Sequence, residues 1–191
     1  LPQYADIPVL AAASPFKAGF GGPNDYTDVP AGPLAINNAA DLYLYPNVVT
    51  AVKIDGAGVK AWLEKSAGWF NQIDAKKSEP QDLINRKVPT YNFDVIDGVT
   101  YQIDLSQPPK YDSSGKAVNP TSNRIQNLAF EGKPIDPAQK FVVVSNNYRA
   151  GGGGSFPDIA SDKVIFQAPD TNRDVIVRYV HDQGTINPAA D

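Results

Sequence analysis

Apolar positions recur along this chain with two periods, and the change from one to the other marks its elements. Between Ala57 and Gly68, the residues Val59, Trp62, Leu63 and Ser66 stand at the i, i+3, i+4, i+7 spacing of a helix with one core-facing stripe. Lys60, Glu64 and Lys65 fall on the opposite side and are expected in solvent. Asp55 precedes the first turn, where a carboxylate can accept one of its free amides. A second helix is predicted from Asn172 to Gln183, with Val175, Ile176, Tyr179 and Val180 as its apolar face. Thr171 or Asp170 would cap it, and Gly184 lies beyond its end.

Elsewhere the period is two, or the apolar run is short and continuous. Val48 to Ile54 and Val99 to Leu105 alternate as strands, and Ile7 to Ala13 reads as a buried strand. Arg124 to Phe130, Phe141 to Ser145 and Val164 to Phe166 add three more, the first two separated by the turn residues of Glu131-Gly132-Lys133-Pro134 and Asp136-Pro137. Asp97-Gly98 predicts a hairpin joining Tyr91–Ile96 to Val99–Leu105. Leu34 to Leu44 reads as a helical turn or two with Ile36, Ala39, Ala40 and Tyr43 on one side. Phe16 to Pro33, rich in Gly, Pro, Asn and Asp, reads as a long functional loop. Helices and strands mixed without a βαβ rhythm predict an α+β fold with a mixed sheet rather than a doubly wound parallel one.

Composition narrows the function. The 191 residues suffice for one large domain with a substantial core, and 17 basic against 21 acidic side chains argue against nucleic-acid polymers or anionic membranes as partners. No apolar stretch is long enough to span a bilayer, and the first residues lack the pattern of a signal peptide. The chain has no cysteine, which excludes disulfides and zinc-thiolate sites and fits many secreted bacterial proteins. A single histidine, His181, cannot build a multi-imidazole metal site, and its place in the last turn of a helix predicts a structural role near free carbonyls. The chemistry this chain serves is therefore expected to be completed by other residues. The absence of methionine and the start at Leu1-Pro2 predict a piece excised from a longer protein.

The segment Asn146 to Pro157 stands out because a strand runs into Tyr148-Arg149-Ala150 and then four glycines. Glycines remove every Cβ from the loop and leave a ring open to a planar ligand such as a nucleobase. No Gly-Lys-Ser/Thr follows, and no Gly-x-Gly-x-x-Gly stands between a strand and a helix, so this is not a phosphate loop; a flexible connector is the alternative. Tyr91 is the second candidate ring. Alternation with Phe93 and Val95 would bury it, whereas its position at the strand entry after Pro89 would leave it free. Asp94 and Asp97 read as turn and solvent-facing residues, and Trp62, Trp69 and Phe70 as core.

Five segments together carry a resemblance. They are Phe16-Lys17-Ala18-Gly19 with Gly21-Gly22-Pro23, Tyr26 to Leu34, Asp41 to Asn47, Tyr91 to Tyr101, and Asn146-Asn147-Tyr148-Arg149-Ala150. In this order and spacing the chain closely resembles, over nearly its whole length, the C-terminal domain of bacterial 2',3'-cyclic-nucleotide 2'-phosphodiesterase/3'-nucleotidases within the 5'-nucleotidase family. The resemblance implies mixed sheets with packed helices in a layered, α/β/β/α-like arrangement. It also implies a division of labour: an N-terminal metallophosphoesterase domain holding two divalent metal ions performs the hydrolysis, and this domain, with no cofactor and no catalytic residue of its own, binds the nucleotide. The expected partners are the nucleotide or nucleoside and that N-terminal domain, in the periplasm or outside the cell.

In the family the base lies between two aromatic rings, which correspond here to Tyr91 and Tyr148. Where relatives read Gly-Gly-Arg-Gly-Gly-Pro, this chain has Gly19-Phe20-Gly21-Gly22-Pro23, one residue shorter and without the arginine. Phosphate contacts are then expected from Lys17, from the amides of Gly21 and Gly22, or from Arg149, which otherwise reads as a surface residue; the alternative is that the metals of the N-terminal domain suffice. A 5'-nucleotidase or nucleotide-sugar hydrolase of the same architecture, and a binding or adhesion module without an enzymatic partner, are the alternatives.

Overall fold

The structure is a computed structural model that describes residues 2–19 and 21–189. A five-stranded sheet, in the order β3-β1-β7-β2-β8, is built from β1 (Val9–Ala13), β2 (Val48–Asp55), β3 (Val95–Asp97), β7 (Lys140–Asn146) and β8 (Val164–Thr171). The sheet is mixed, since β1 runs parallel to β7 while the other neighbours are antiparallel. A second, antiparallel sheet orders β4 (Val99–Ile103), β5 (Ile125–Phe130) and the two-residue β6 (Lys133–Pro134). The helices are α1 (Ile36–Leu42), α2 (Gly56–Ser66), the single turn α3 (Asn147–Ala150) and α4 (Asn172–Gln183). The fold is α+β, with helices packed on one mixed and one antiparallel sheet.

Helix α2 is the centre of the core. Asp55 caps it, its Oδ1 accepting from the amide of Gly58 at 3.0 Å. Val59, Trp62, Leu63 and Ala67 pack with Leu10, Val52 and Phe141 of the large sheet and with Ile125 and Leu128 of the small one. Burying such side chains supplies about 1.5–3 kcal/mol each, so this helix ties both sheets together.

The stripe of α2 is wider than its apolar pattern predicts. Glu64 and Lys65, expected in solvent, are buried. Glu64 faces β5, and its carboxylate accepts from the amides of Arg124 at 3.1 Å and Ile125 at 2.9 Å, satisfying strand amides that lack a ladder partner. Arg124, fully buried, turns its side chain elsewhere and donates to the carbonyls of Gln107, Ala67 and Phe70. Its desolvation lowers the guanidinium's pKa, opposed by the charges of Glu64 and Asp104. Lys65 donates to the carbonyl of Asp112 and so fastens the loop at 110–118.

Three further expectations are corrected. Asp97-Gly98 does not close a hairpin: β3 pairs with β1 and β4 pairs with β5, so Gly98, at φ 93°, passes the chain from one sheet to the other. The strand expected from Tyr91 begins only at Val95, after a 3-10 turn at Thr90–Asn92, and its phase is reversed, with Val95 exposed and Asp94 and Ile96 buried. The apolar side of α4 is not core, since no residue of that helix is buried; Ile36 of α1 and Val9 of β1 are likewise exposed. The cap of α4 is Thr171, whose hydroxyl accepts from the amide of Asp174 at 3.1 Å while the Asp174 carboxylate accepts from the amide of Thr171 at 3.0 Å.

Candidate functional site

Strand β7 ends at Asn146, and this residue turns the chain into α3. Its Oδ1 accepts from the amide of Arg149 at 2.8 Å as an N-cap, and its Nδ2 donates to the Tyr43 hydroxyl at 2.9 Å. Burial raises the Tyr43 hydroxyl's pKa, partly offset by the Asn146 contact. Tyr148 then sits on the outer side of a single helical turn, 46% exposed.

The glycines do not leave space beside this ring; they let backbone fill it. The Gly153 amide donates to the Tyr148 carbonyl at 2.9 Å, and a Cβ on Gly153 would stand 2.6 Å from the ring. Gly152 and Gly154 hold positive φ, and a Cβ on Gly154 would collide with Asn92 and Arg149. Amides of Gly151, Gly152, Gly153 and Ser155 are all hydrogen-bonded to nearby carbonyls, so the run is an ordered turn rather than a flexible connector.

Tyr91 arrives from the opposite side. Pro89 cannot continue a ladder, and the following 3-10 turn, closed by the Asn92 amide on the Pro89 carbonyl at 2.9 Å, lifts Tyr91 out of the sheet. The hydroxyl of Thr90 donates to the Phe16 carbonyl and ties this turn to the long loop. The rings of Tyr91 and Tyr148 meet with centroids 6.2 Å apart and planes at 85°. They border a cavity of about 210 Å³, whose other aromatic walls are Phe16 and Tyr45 and whose polar lining comes from Ser14, Asn47, Asn146 and Arg149.

Of the expected phosphate contacts, Arg149 lies under the rings, only 2% exposed. Its Nε donates to Asp94 Oδ2 at 2.7 Å and its Nη2 to Asp94 Oδ1 at 3.1 Å, and the guanidinium lies 3.8 Å over the Phe156 ring. Asp94, expected in solvent, is instead buried and also accepts from Trp62 Nε1 at 2.7 Å. Lys17, Gly21 and Gly22 are not brought to the cavity. Lys17 pairs with Asp41 at 3.1 Å, the Gly21 amide donates to Asp25 and the Gly22 amide to the Gly19 carbonyl. Phe20 lies outside the described residues.

Sequence reasoning missed Phe16, Tyr45, Asn47 and Ser14 as walls of the cavity. Phe16 and Tyr45 stood inside motifs already singled out, but it is their edge-to-face contact at 5.3 Å, formed only on folding, that makes them one wall. A larger groove of about 670 Å³ runs between α2 and β5, past Lys60, Lys110 and Asn123. It contains none of the candidate residues, and its one carboxylate, Glu64, is spent on strand amides. Among the described residues no group of three or more His, Cys, Asp or Glu could hold a metal ion, and no helix is long and apolar enough to cross a membrane. His181 is exposed at the end of α4 beside Asp182.

The sequence and fold match a known class. The family described as 5'-nucleotidase, C-terminal domain, matches residues 9–161, and the chain belongs to that family. It is 55% identical over 190 residues, 99% of its length, to the trifunctional nucleotide phosphoesterase protein YfkN of Bacillus subtilis, of which it spans 13%. It is 52% identical over its full length to the 2',3'-cyclic-nucleotide 2'-phosphodiesterase/3'-nucleotidase of Salmonella typhimurium, of which it spans 30%. The chain thus covers less than a third of these relatives. A 5'-nucleotidase structure from Staphylococcus aureus shares the fold at a TM-score of 0.67 and 22% identity, over 95% of this chain and 31% of that one. A 5'-nucleotidase precursor from Thermus thermophilus does so at 0.67 and 16% identity, over 93% of this chain and 29% of that one.

Proposed function

We propose that this chain is the nucleotide-recognition domain of a secreted or periplasmic phosphohydrolase acting on 2',3'-cyclic nucleotides and 3'-nucleotides, with Tyr91 and Tyr148 holding the base. The observation that carries this reading is the meeting of the two rings, from segments far apart in sequence, at the rim of a cavity walled by two further aromatics. A lining of four aromatic rings and four polar residues suits a flat, polar-edged ligand. Stacking on such rings contributes about 1–3 kcal/mol per base and tolerates any base, so Asn47 and Ser14 are the groups available for preference.

In this reading the domain's part in catalysis is positional. It binds the base and ribose and presents the phosphate to a separate hydrolytic domain, where a held geometry replaces a bimolecular encounter. In this reading the two divalent ions are held by that other domain, and no step is assigned to this chain. With Lys17 paired to Asp41 of α1 and the Gly21 and Gly22 amides bonded within their own loop, phosphate contact from these residues requires that loop to rearrange around the nucleotide. The test is an assay of the full-length protein on 2',3'-cyclic AMP, 3'-AMP and 5'-AMP. Turnover of the first two is expected; exclusive turnover of 5'-AMP would make it a 5'-nucleotidase, and turnover of none would sink the reading.

A further inference from the structure

We infer that the buried Arg149–Asp94 pair is the positioning element of the ring pair: one guanidinium joins the segment bearing Tyr91 to the segment bearing Tyr148, and Asp94 references both to the core helix. This rests on the reading of the two tyrosines as the base contacts. Arg149 directly follows Tyr148 on α3, so its backbone moves with that ring. Its Nη2 reaches across and donates to the Tyr91 carbonyl at 2.7 Å and to Asn92 Oδ1 at 3.2 Å. Its Nη1 donates to the carbonyl of Gly153, the residue whose backbone supports the Tyr148 ring. Nε donates to Asp94 Oδ2, and Nη2 is shared with Asp94 Oδ1, so the carboxylate neutralises the charge.

Asp94 is fixed in turn. Trp62 Nε1 donates to its carboxylate and the Ser66 hydroxyl to its backbone carbonyl, both from α2. The connection therefore runs from the core helix through Asp94 and Arg149 to both ring-bearing turns. Only a planar fork can serve acceptors in these several directions; a lysine ammonium would keep the pairing with Asp94 and lose the bridge to Tyr91 and Gly153. Arg149 is thus a positioning residue and not a phosphate ligand.

The test compares Arg149→Lys, Asp94→Asn and Tyr148→Ala in the full-length protein, on 3'-AMP and on ribose 3-phosphate, which lacks the base. Displaced rings should raise KM for 3'-AMP about tenfold or more in Arg149→Lys and Asp94→Asn, with kcat and the kinetics on ribose 3-phosphate unchanged. Equal losses on both substrates would make Arg149 a phosphate contact, and an unchanged KM in Arg149→Lys would make the pair merely structural; either overturns the inference. If Tyr148→Ala itself leaves KM for 3'-AMP unchanged, the base-contact reading fails instead. Should the variants not fold, NMR of the wild-type protein decides. The Arg149 Nε–H signal should be slowly exchanging and unmoved by inorganic phosphate, whereas a phosphate-dependent shift refutes the positioning role.

Discussion

Tyr91 and Tyr148 touch edge to face, with centroids 6.2 Å apart and planes at 85°. That is a favourable arrangement for two aromatic rings, yet it is not a slot between parallel planes. A base held by both must turn one ring as it enters. The Tyr148 ring lies against Gly153 on one side and is 46% exposed, while Tyr91 is half-buried on its short 3-10 turn.

Adenosine added to the chain should therefore shift the ring signals of both tyrosines in NMR. Tyr148→Ala should weaken adenosine binding by about 1–3 kcal/mol, or roughly 5- to 150-fold. Calorimetric titration of wild type and variant checks this, and equal affinities would remove Tyr148 from the site.

The glycine run makes a sharper distinction. Gly153→Ala places a methyl group 2.6 Å from the Tyr148 ring and should lower adenosine affinity to a degree comparable with Tyr148→Ala. Gly68→Ala has nothing within 4 Å of the new methyl group and should leave affinity unchanged, with stability equal or raised by about 0.4–1 kcal/mol. Titration and denaturant unfolding of the two variants measure the contrast.

Glu64 offers a stability test away from the cavity. In Glu64→Gln one of the two strand amides now accepted by the carboxylate, that of Arg124 or of Ile125, faces an NH2 group and loses its partner. A buried donor left unsatisfied costs about 1–3 kcal/mol. Urea unfolding should show that loss with no change in adenosine affinity.

Asp55 links stability to pH. Its carboxyl lies below the ordinary value of 3.8, chiefly because the Gly58 amide and then Lys140 stabilise the charged form. A lowered folded-state value means that the stabilisation is complete above about pH 4 and is lost as pH falls through the folded value. Asp55→Asn keeps a capping oxygen but cannot titrate, so the gap in stability between wild type and variant should shrink below pH 4. Asp55→Ala removes the cap and should cost about 1 kcal/mol at neutral pH.

Local signals were well represented in the chain. The spacing of Val59, Trp62 and Leu63, the caps at Asp55 and Thr171, and the stop at Gly184 all operate within one or two turns, and the helices form where those signals stand. The two ring-bearing motifs and the family they resemble were likewise written in contiguous residues. Burial of charge was not. Nothing near Glu64 or Asp94 shows that a strand edge or an arginine far along the chain will meet it.

The sequence by itself determined the α+β class, the core helix and the family, and it singled out the two tyrosines as candidates, because each rests on short-range periodicity or on a contiguous motif. Tertiary structure alone decided that Asp97-Gly98 changes sheets instead of closing a hairpin, and that Phe16 and Tyr45 join the tyrosines around one cavity. It also decided that Arg149 turns inward to Asp94 while Lys17 stays with Asp41. The physical reason is the same in each case: a polar side chain takes its role from whichever partner the folded chain brings within hydrogen-bonding reach, and these partners come from other elements.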